Sequence, residues 1–201
     1  MGTAALSASS SIHSDSPAED VQLLKQVARG EKKAFETLYR RYYRRLSQFV
    51  YRLTPNQQLG EEIVDDTMLA VWRSADKFAG RSKVSTWIFG IAYRRTMKSL
   101  DREMKHANVD SDAGLLDAQV DTDATRDPHL FAVANTMQRE LDTFMEKLDV
   151  KQRVALQLTA LGHSYPEISE IMDCPAGTVK TRVFKARSRL KGYIDSAGSR
   201  F

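Results

Sequence analysis

The 201-residue sequence predicts an all-α protein: two small helical domains joined by a flexible acidic linker, the second domain carrying a helix-turn-helix. Three observations lead there. Apolar residues recur at three- and four-residue steps along most of the chain, and strand-type alternation is nowhere sustained. Aspartates, Gly114 and Pro128 interrupt that periodicity between about 106 and 133. Near the C-terminus a short amphipathic stretch, a tight turn and a second, donor-rich stretch follow one another in helix-turn-helix order. The expected organisation is a disordered tail over 1–17, an N-terminal helical domain over 18–105, the linker over 106–133 and the C-terminal domain over 134–197.

Each element has its own local reason. The first 17 residues are rich in Ser and Ala and poor in large apolar side chains, too little to offset the entropy of ordering. A helix beginning near Asp20 sets Val21, Leu24 and Ala28 on one face and is ended by Gly30. Phe35, Leu38, Tyr42, Leu46, Phe49 and Leu53 mark a longer second helix that stops before Pro55. Leu59, Ile63, Val64, Met68, Val71 and Trp72 repeat the pattern in a third. After a loop containing Gly80 and Ser82, residues Thr86 to Arg102 form a fourth, apolar at Trp87, Ile91 and Leu100 and basic at Arg94, Arg95, Lys98 and Arg102. Trp72 and Trp87 fall on apolar faces and are expected in the core. Beyond the linker, helices are predicted over Phe131 to Leu148, Gln152 to Leu161 and Pro166 to Met172, then a turn at Asp173-Cys174-Pro175 and a long helix to about Ile194.

Composition narrows the class. With 42% apolar and 28% charged residues the chain reads as a soluble globular protein. No stretch approaches the roughly 20 apolar residues that span a bilayer. No basic segment followed by an apolar run opens the chain, so no secretion signal is expected. Cytoplasmic residence fits a single cysteine, Cys174, which is read as a packed thiol in the turn. The histidines His13, His106, His129 and His163 lack ligand spacing and are expected on the surface or in loops, so neither a metal nor any other cofactor is predicted. The net charge is only +4, but its distribution is uneven. Lys180, Arg182, Lys185, Arg187, Arg189 and Lys191 occur without an acid among them, whereas six aspartates face Arg126 alone between Asp110 and Asp127. One segment suits phosphates and the other avoids them.

On a helical wheel, Val179, Val183, Ala186 and Leu190 cluster on one side of the last helix. Thr181, Phe184, Lys185 and Ser188 lie opposite, with Lys180 and Arg182 on the flanks. Packing of the apolar side on the preceding helix leaves the other side free to enter a major groove. There Lys donates to guanine edges, Thr donates or accepts, and Phe meets thymine methyls. Flanking basic residues fix register on phosphates.

At this point three segments carry a resemblance. Ile171-Met172-Asp173-Cys174-Pro175-Ala176-Gly177-Thr178-Val179-Lys180-Thr181-Arg182-Val183-Phe184-Lys185-Ala186-Arg187 resembles the −35-reading motif of extracytoplasmic-function (ECF) sigma factors of RNA polymerase. Glu61-Glu62-Ile63-Val64-Asp65-Asp66-Thr67-Met68-Leu69-Ala70-Val71-Trp72-Arg73 resembles their polymerase-binding helix. Phe78-Ala79-Gly80 through Thr86-Trp87-Ile88-Phe89-Gly90-Ile91-Ala92 resembles their −10-reading loop and helix. The likeness covers about residues 20–102 and 134–192.

This resemblance implies a factor that binds core RNA polymerase and directs promoter-specific initiation. Its partners would be the large-subunit clamp helices and flap, promoter DNA and an anti-sigma factor, with no small-molecule substrate. Asp65, Asp66 and Leu69 would face the polymerase. Ser82, Lys83, Ser85 and Thr86 would line the pocket for an extruded −10 base, with Arg94 beside it. Thr178, Lys180, Thr181, Arg182, Phe184 and Lys185 would serve the −35 element. Arg81, Arg94 and Lys98 depart from the family pattern, in which many members carry an acid, Asn and Asp respectively; the added positive charge strengthens phosphate contact.

Two other classes fit less well. A dimeric repressor or activator also uses a helix-turn-helix, but the sequence offers no dimerisation heptads and would leave its N-terminal half unexplained. An enzyme would need a phosphate loop, metal spacing or nucleophile–base constellation, none of which is visible, so no catalytic residue is assigned.

Overall fold

The structure, a computed structural model, describes residues 16–107, 143–145 and 147–198, the backbone alone at 106–107 and 196–198. Most of the expected tail, the linker and most of the helix predicted over 131–148 lie outside the described residues. Within them the elements are α1 (Pro17–Ala28), α2 (Lys32–Tyr51), α3 (Gln57–Ser74), a 3-10 turn (Ala75–Lys77), α4 (Val84–Ala107), α5 (Val150–Ala160), α6 (Tyr165–Met172) and α7 (Ala176–Gly198). No strand occurs among the described residues. The all-α prediction holds.

Helix starts follow local chemistry. Pro17 opens α1, where its missing N–H costs nothing. The Asn56 side chain accepts from Leu59 N–H at 2.8 Å and caps α3. Asp149 accepts from the N–H groups of Lys151 and Gln152 at 2.9 and 3.3 Å and caps α5. Ser164 and Glu167 form a reciprocal capping box at the start of α6, Ser164 N–H donating to Glu167 Oε2 at 2.7 Å.

The apolar stripes meet as predicted. Leu38, Tyr42, Leu46 and Phe49 of α2, Ile63, Val64, Met68 and Val71 of α3, and Ile88, Phe89 and Ala92 of α4 are buried together. Each fully buried large side chain contributes roughly 1.5–3 kcal/mol relative to exposure. Trp72 sits edge-on to Phe35 at 5.1 Å and Trp87 packs on Phe78 at 5.5 Å, so both tryptophans belong to the core periphery. Gly60 permits the close approach of α3 to α2, since a Cβ there would collide with the Tyr51 ring.

The inner face of α1 departs from the prediction. Leu24 and Val27 are buried and Ala28 is exposed. The buried face also includes Asp20, whose carboxylate accepts from Tyr42 Oη and pairs with Arg41. A polar residue read as part of the helix opening therefore ties α1 to α2.

The largest addition is the seam between the two halves. Helix α4 packs against α6, and one continuous apolar cluster runs from Leu24 through Ile88 and Phe89 to Ile168, Ile171 and Val183. Arg45 donates to the Leu161 carbonyl at 3.1 Å, and Phe89 meets His163 at 4.8 Å between ring centroids. His163 is only 5% exposed, which corrects its expected surface placement. A loop position said nothing about the Phe89 ring it would meet. A smaller cluster of Phe144, Leu148 and Ala186, with Leu190 and Tyr193 against it, anchors the far end of α7.

Candidate nucleic-acid and polymerase interfaces

Helix α6 ends at Asp173, which adopts a left-handed conformation (φ 47°), a turn that Asp tolerates better than most side chains. Cys174 N–H bonds back to Ser169 O at 3.1 Å, while Ser169 Oγ donates to Cys174 O at 2.6 Å. Pro175 O then accepts from Thr178 N–H at 2.8 Å and launches α7. This doubly stitched turn fixes the angle between α6 and α7.

Burial along α7 divides as the wheel predicted. Val179, Val183 and Ala186 are buried; Lys180, Thr181, Phe184 and Lys185 are exposed, Phe184 at 71%. Thr181 Oγ1 donates to Gly177 O at 3.0 Å, which leaves its oxygen able to accept. Thr178 and Arg182 are half-buried, and Arg182 Nη1 lies 3.2 Å from Cys174 Sγ, buttressing the turn as well as flanking the exposed face. Thr178, Thr181, Arg182 and Lys185 share one groove with Lys151 and Gln152 at the start of α5. Sequence reading missed Lys151, whose only signal is its place just after the Asp149 cap.

On α3, Asp65, Asp66 and Leu69 emerge together, Leu69 at 42% exposure. Tyr39 Oη donates to Asp65 at 3.1 Å and its ring stacks on Tyr43 at 5.3 Å. Burial first, then the hydrogen bond to Asp65, pushes the Tyr39 phenol up to about 12, so it stays a donor. Asp66 pairs with Arg95 of α4 at 2.9 Å. The face is thus an apolar patch with an acidic rim, extended by Tyr39 and Tyr43, which sequence reading left out. Their signal was two aromatics one turn apart outside the α2 core stripe.

The loop before α4 presents Ser82 half-exposed and Lys83 exposed, Ser85 is half-exposed in the first turn of α4, and Arg94 is exposed nearly three turns along that helix. Thr86 is buried and its hydroxyl lacks a partner, so it is covered in this arrangement. Lys83 Nζ pairs with Glu167 Oε1 of α6 at 2.7 Å. Burial alone would raise the Glu167 carboxyl, but the hydrogen bonds from Lys83 and Ser164 outweigh it and bring the group down to about 2. Desolvation, reinforced by Arg45, holds His163 down at about 4.

A pH dependence follows. Arg45 of α2, Lys83 before α4, Asp20 of α1 and Glu167 of α6 line the same cavity as His163. Between about pH 6.5 and 4 the unfolded chain binds the imidazole proton and the folded chain refuses it. Stability therefore falls as pH drops through that window, by up to about 3 kcal/mol. Thermal unfolding followed from pH 7 to pH 4 is expected to show this loss, and His163→Gln to flatten it. An unchanged slope in the variant would remove His163 as the source.

Among the described residues no helix is long and apolar enough to cross a membrane.

Comparison with known proteins places this geometry. Residues 38–105 match the family model for Sigma-70 region 2, and residues 138–190 match that for Sigma-70, region 4. The ECF RNA polymerase sigma-E factors of Escherichia coli K12 and Salmonella typhimurium LT2 are each 30% identical over 180 residues, covering 87% of this chain and 94% of each relative. That of Haemophilus influenzae is 29% identical over 180 residues. Among solved structures, CnrH in complex with the cytosolic domain of CnrY aligns with a TM-score of 0.65 at 23% identity, over 88% of this chain and 97% of that one. The sigma factor RpoE of Bartonella quintana, in complex with the anti-sigma factor NepR, aligns with a TM-score of 0.68 at 22% identity, over 81% and 98%. The chain belongs to the ECF family of RNA polymerase sigma factors, which give the polymerase its promoter specificity.

Proposed function

We propose that this sigma factor divides promoter recognition among three faces. The domain over 18–105 docks on the large-subunit clamp helices through Asp65, Asp66 and Leu69. It receives the −10 element on Ser82, Lys83, Ser85 and Thr86, with Arg94 beside them. The domain over 134–197 binds the flap and reads the −35 element with Lys180, Thr181, Phe184 and Lys185, supported by Thr178 and Arg182. The acidic linker over 106–133 threads toward the active-site channel, where its charge keeps it off the promoter. The factor works in the cytoplasm, uses no cofactor and performs no chemistry of its own. An anti-sigma factor is its expected inhibitor, a reading supported by the Bartonella neighbour's complex with one.

The observation that carries this reading is the clean division of α7 into a buried apolar face and an exposed face that presents Lys180, Thr181, Phe184 and Lys185. The −10 assignment has its own test. Replacing Ser82 and Ser85 together with alanine is expected to lower open-complex formation by the holoenzyme about thirtyfold, as two hydrogen bonds of about 1 kcal/mol each are lost. Binding to −35 duplex stays unchanged. Normal promoter opening by the double variant would exclude the loop as the −10 seat.

A further inference from the structure

The groove beside the exposed face of α7 has a second bank that the recognition helix does not supply. Thr178, Arg182 and Lys185 of α7 form one side of it, and Lys151 and Gln152 of α5 form the other, around a cavity of about 420 Å³. Arg189, one turn beyond Lys185, ties the two banks together, its Nη1 donating to Gln152 Oε1 at 3.4 Å. That bond engages the amide oxygen of Gln152 and leaves the amide nitrogen as a donor. Two helices thus build one surface, and α5 contributes to it a cation and a neutral donor side by side.

The charge in this groove favours an anion held by side chains. Asp149 is the one acid among the lining residues, and its carboxylate accepts from the N–H groups of Lys151 and Gln152 at 2.9 and 3.3 Å. The cap therefore occupies the backbone donors at the start of α5, and the exposed Lys151 ammonium is the group left to meet a ligand. With Arg182 and Lys185 opposite, three cations face one capped carboxylate. A duplex laid on the exposed face of α7 carries a sugar–phosphate strand along each edge of its major groove, about 12 Å apart. The strand on the α5 side has to run beside Lys151 and Gln152.

We propose that Lys151, assisted by the Gln152 amide, is a phosphate ligand that clasps this strand of the −35 duplex from outside the helix-turn-helix. It is a positioning residue: a phosphate contact carries no sequence information, but it fixes register. A second fixed point, on a helix separate from α7, stops α7 from rolling in the groove and so keeps Thr181 and Lys185 aimed at their base edges. The proposal rests on the −35 reading above.

The test titrates holoenzyme, over a salt series, onto a duplex that the unaltered holoenzyme selects from a random-sequence pool. Lys151→Ala keeps the backbone N–H that Asp149 accepts, so the start of α5 survives the change. It is expected to weaken binding about tenfold at low salt, by the same factor on every −35 variant, and to make the salt dependence shallower by about one contact. Lys151→Arg is expected to restore both. Gln152→Glu keeps an acceptor for Arg189 but sets a carboxylate against the strand, and is expected to weaken binding as well. Single phosphates are then neutralised in turn as methylphosphonates. One position that weakens the unaltered protein is expected to be silent in Lys151→Ala. Unchanged affinity in Lys151→Ala would overturn the proposal, as would a loss with the salt dependence intact and no silenced phosphate. A loss confined to particular base pairs would overturn it too, by making Lys151 a base reader. Failure of the −35 reading shows separately, as unchanged preference when Lys180, Thr181 and Lys185 are all alanine. A uniform Lys151 loss beside that result keeps the phosphate contact and removes α7 as the reader.

Discussion

Replacing Lys180, Thr181 and Lys185 together with alanine is expected to lower the affinity of the holoenzyme for its promoters by about a hundredfold, with most sequence preference at the −35 element erased. The size follows from what the three side chains offer. Lys180 and Lys185 are exposed ammonium groups on either side of Thr181, and none of the three supports the core. A base-reading contact contributes about 1–3 kcal/mol of discrimination, so two such losses reach the stated range. Helical content is expected to stay the same, because Val179, Val183 and Ala186 hold α7 in place. Lys185→Ala alone separates base from phosphate contact. A base reader loses preference at one or two positions; a phosphate ligand weakens all sequences alike and makes the salt dependence shallower by about one contact. Arg182 is expected to lower affinity uniformly when replaced, partly through the Cys174 turn that it buttresses. Gel-shift titrations of the holoenzyme on promoter variants at several salt concentrations measure these terms. Unchanged affinity and preference in the triple variant would remove α7 as the −35 reader.

Reversing both acids of the α3 face, Asp65→Lys with Asp66→Lys, is expected to weaken assembly with core polymerase by more than about tenfold. The fold has little at stake in either residue. The Asp66–Arg95 pair is exposed and worth about 0–1 kcal/mol, and Asp65 only accepts from the Tyr39 hydroxyl. The circular dichroism spectrum is therefore expected to be almost unchanged while core binding falls. Because Leu69 remains, residual apolar docking is expected to persist and to strengthen as added salt screens the repulsion that the reversed charges introduce. Normal holoenzyme assembly by the double variant, measured by competition for core enzyme, would show that the docking face lies elsewhere.

The helices and most of their inner faces could be read from periodicity, since each stripe from Leu38 to Phe49 or Ile63 to Val71 needs only its own spacing to be visible. Helix ends were less legible. Helix α4 starts two residues before Thr86 and runs on to Ala107, through polar residues that neither cap nor break it. The face of α1 was misjudged between Ala28 and Val27 because Asp20, the residue that fixes its rotation, satisfies its charge through Arg41 and Tyr42 more than twenty positions away. The seam between the halves was illegible for a similar reason. Apolar residues at Ile88, Phe89 and Ala92 announce that one side of α4 is covered, but not that α6 covers it. His163 carries no local signal at all; its burial depends on a ring 74 positions earlier in the chain. In the recognition helix the exposed and buried faces were both legible, because α6 and the turn that orient it are its immediate neighbours. Lys151 was not, since it reaches the same groove from a separate helix.

Promoter specificity conferred on RNA polymerase through two DNA-reading faces is tested most directly by run-off transcription with purified core enzyme on a panel of promoters. Core polymerase alone is expected to initiate without preference. Addition of the chain is expected to produce discrete start sites on a subset of templates, each abolished by changing either its −35 or its −10 element. The contradicting result is a chain that binds DNA without core enzyme and leaves the start sites of the polymerase unchanged; such a protein would be a conventional DNA-binding regulator.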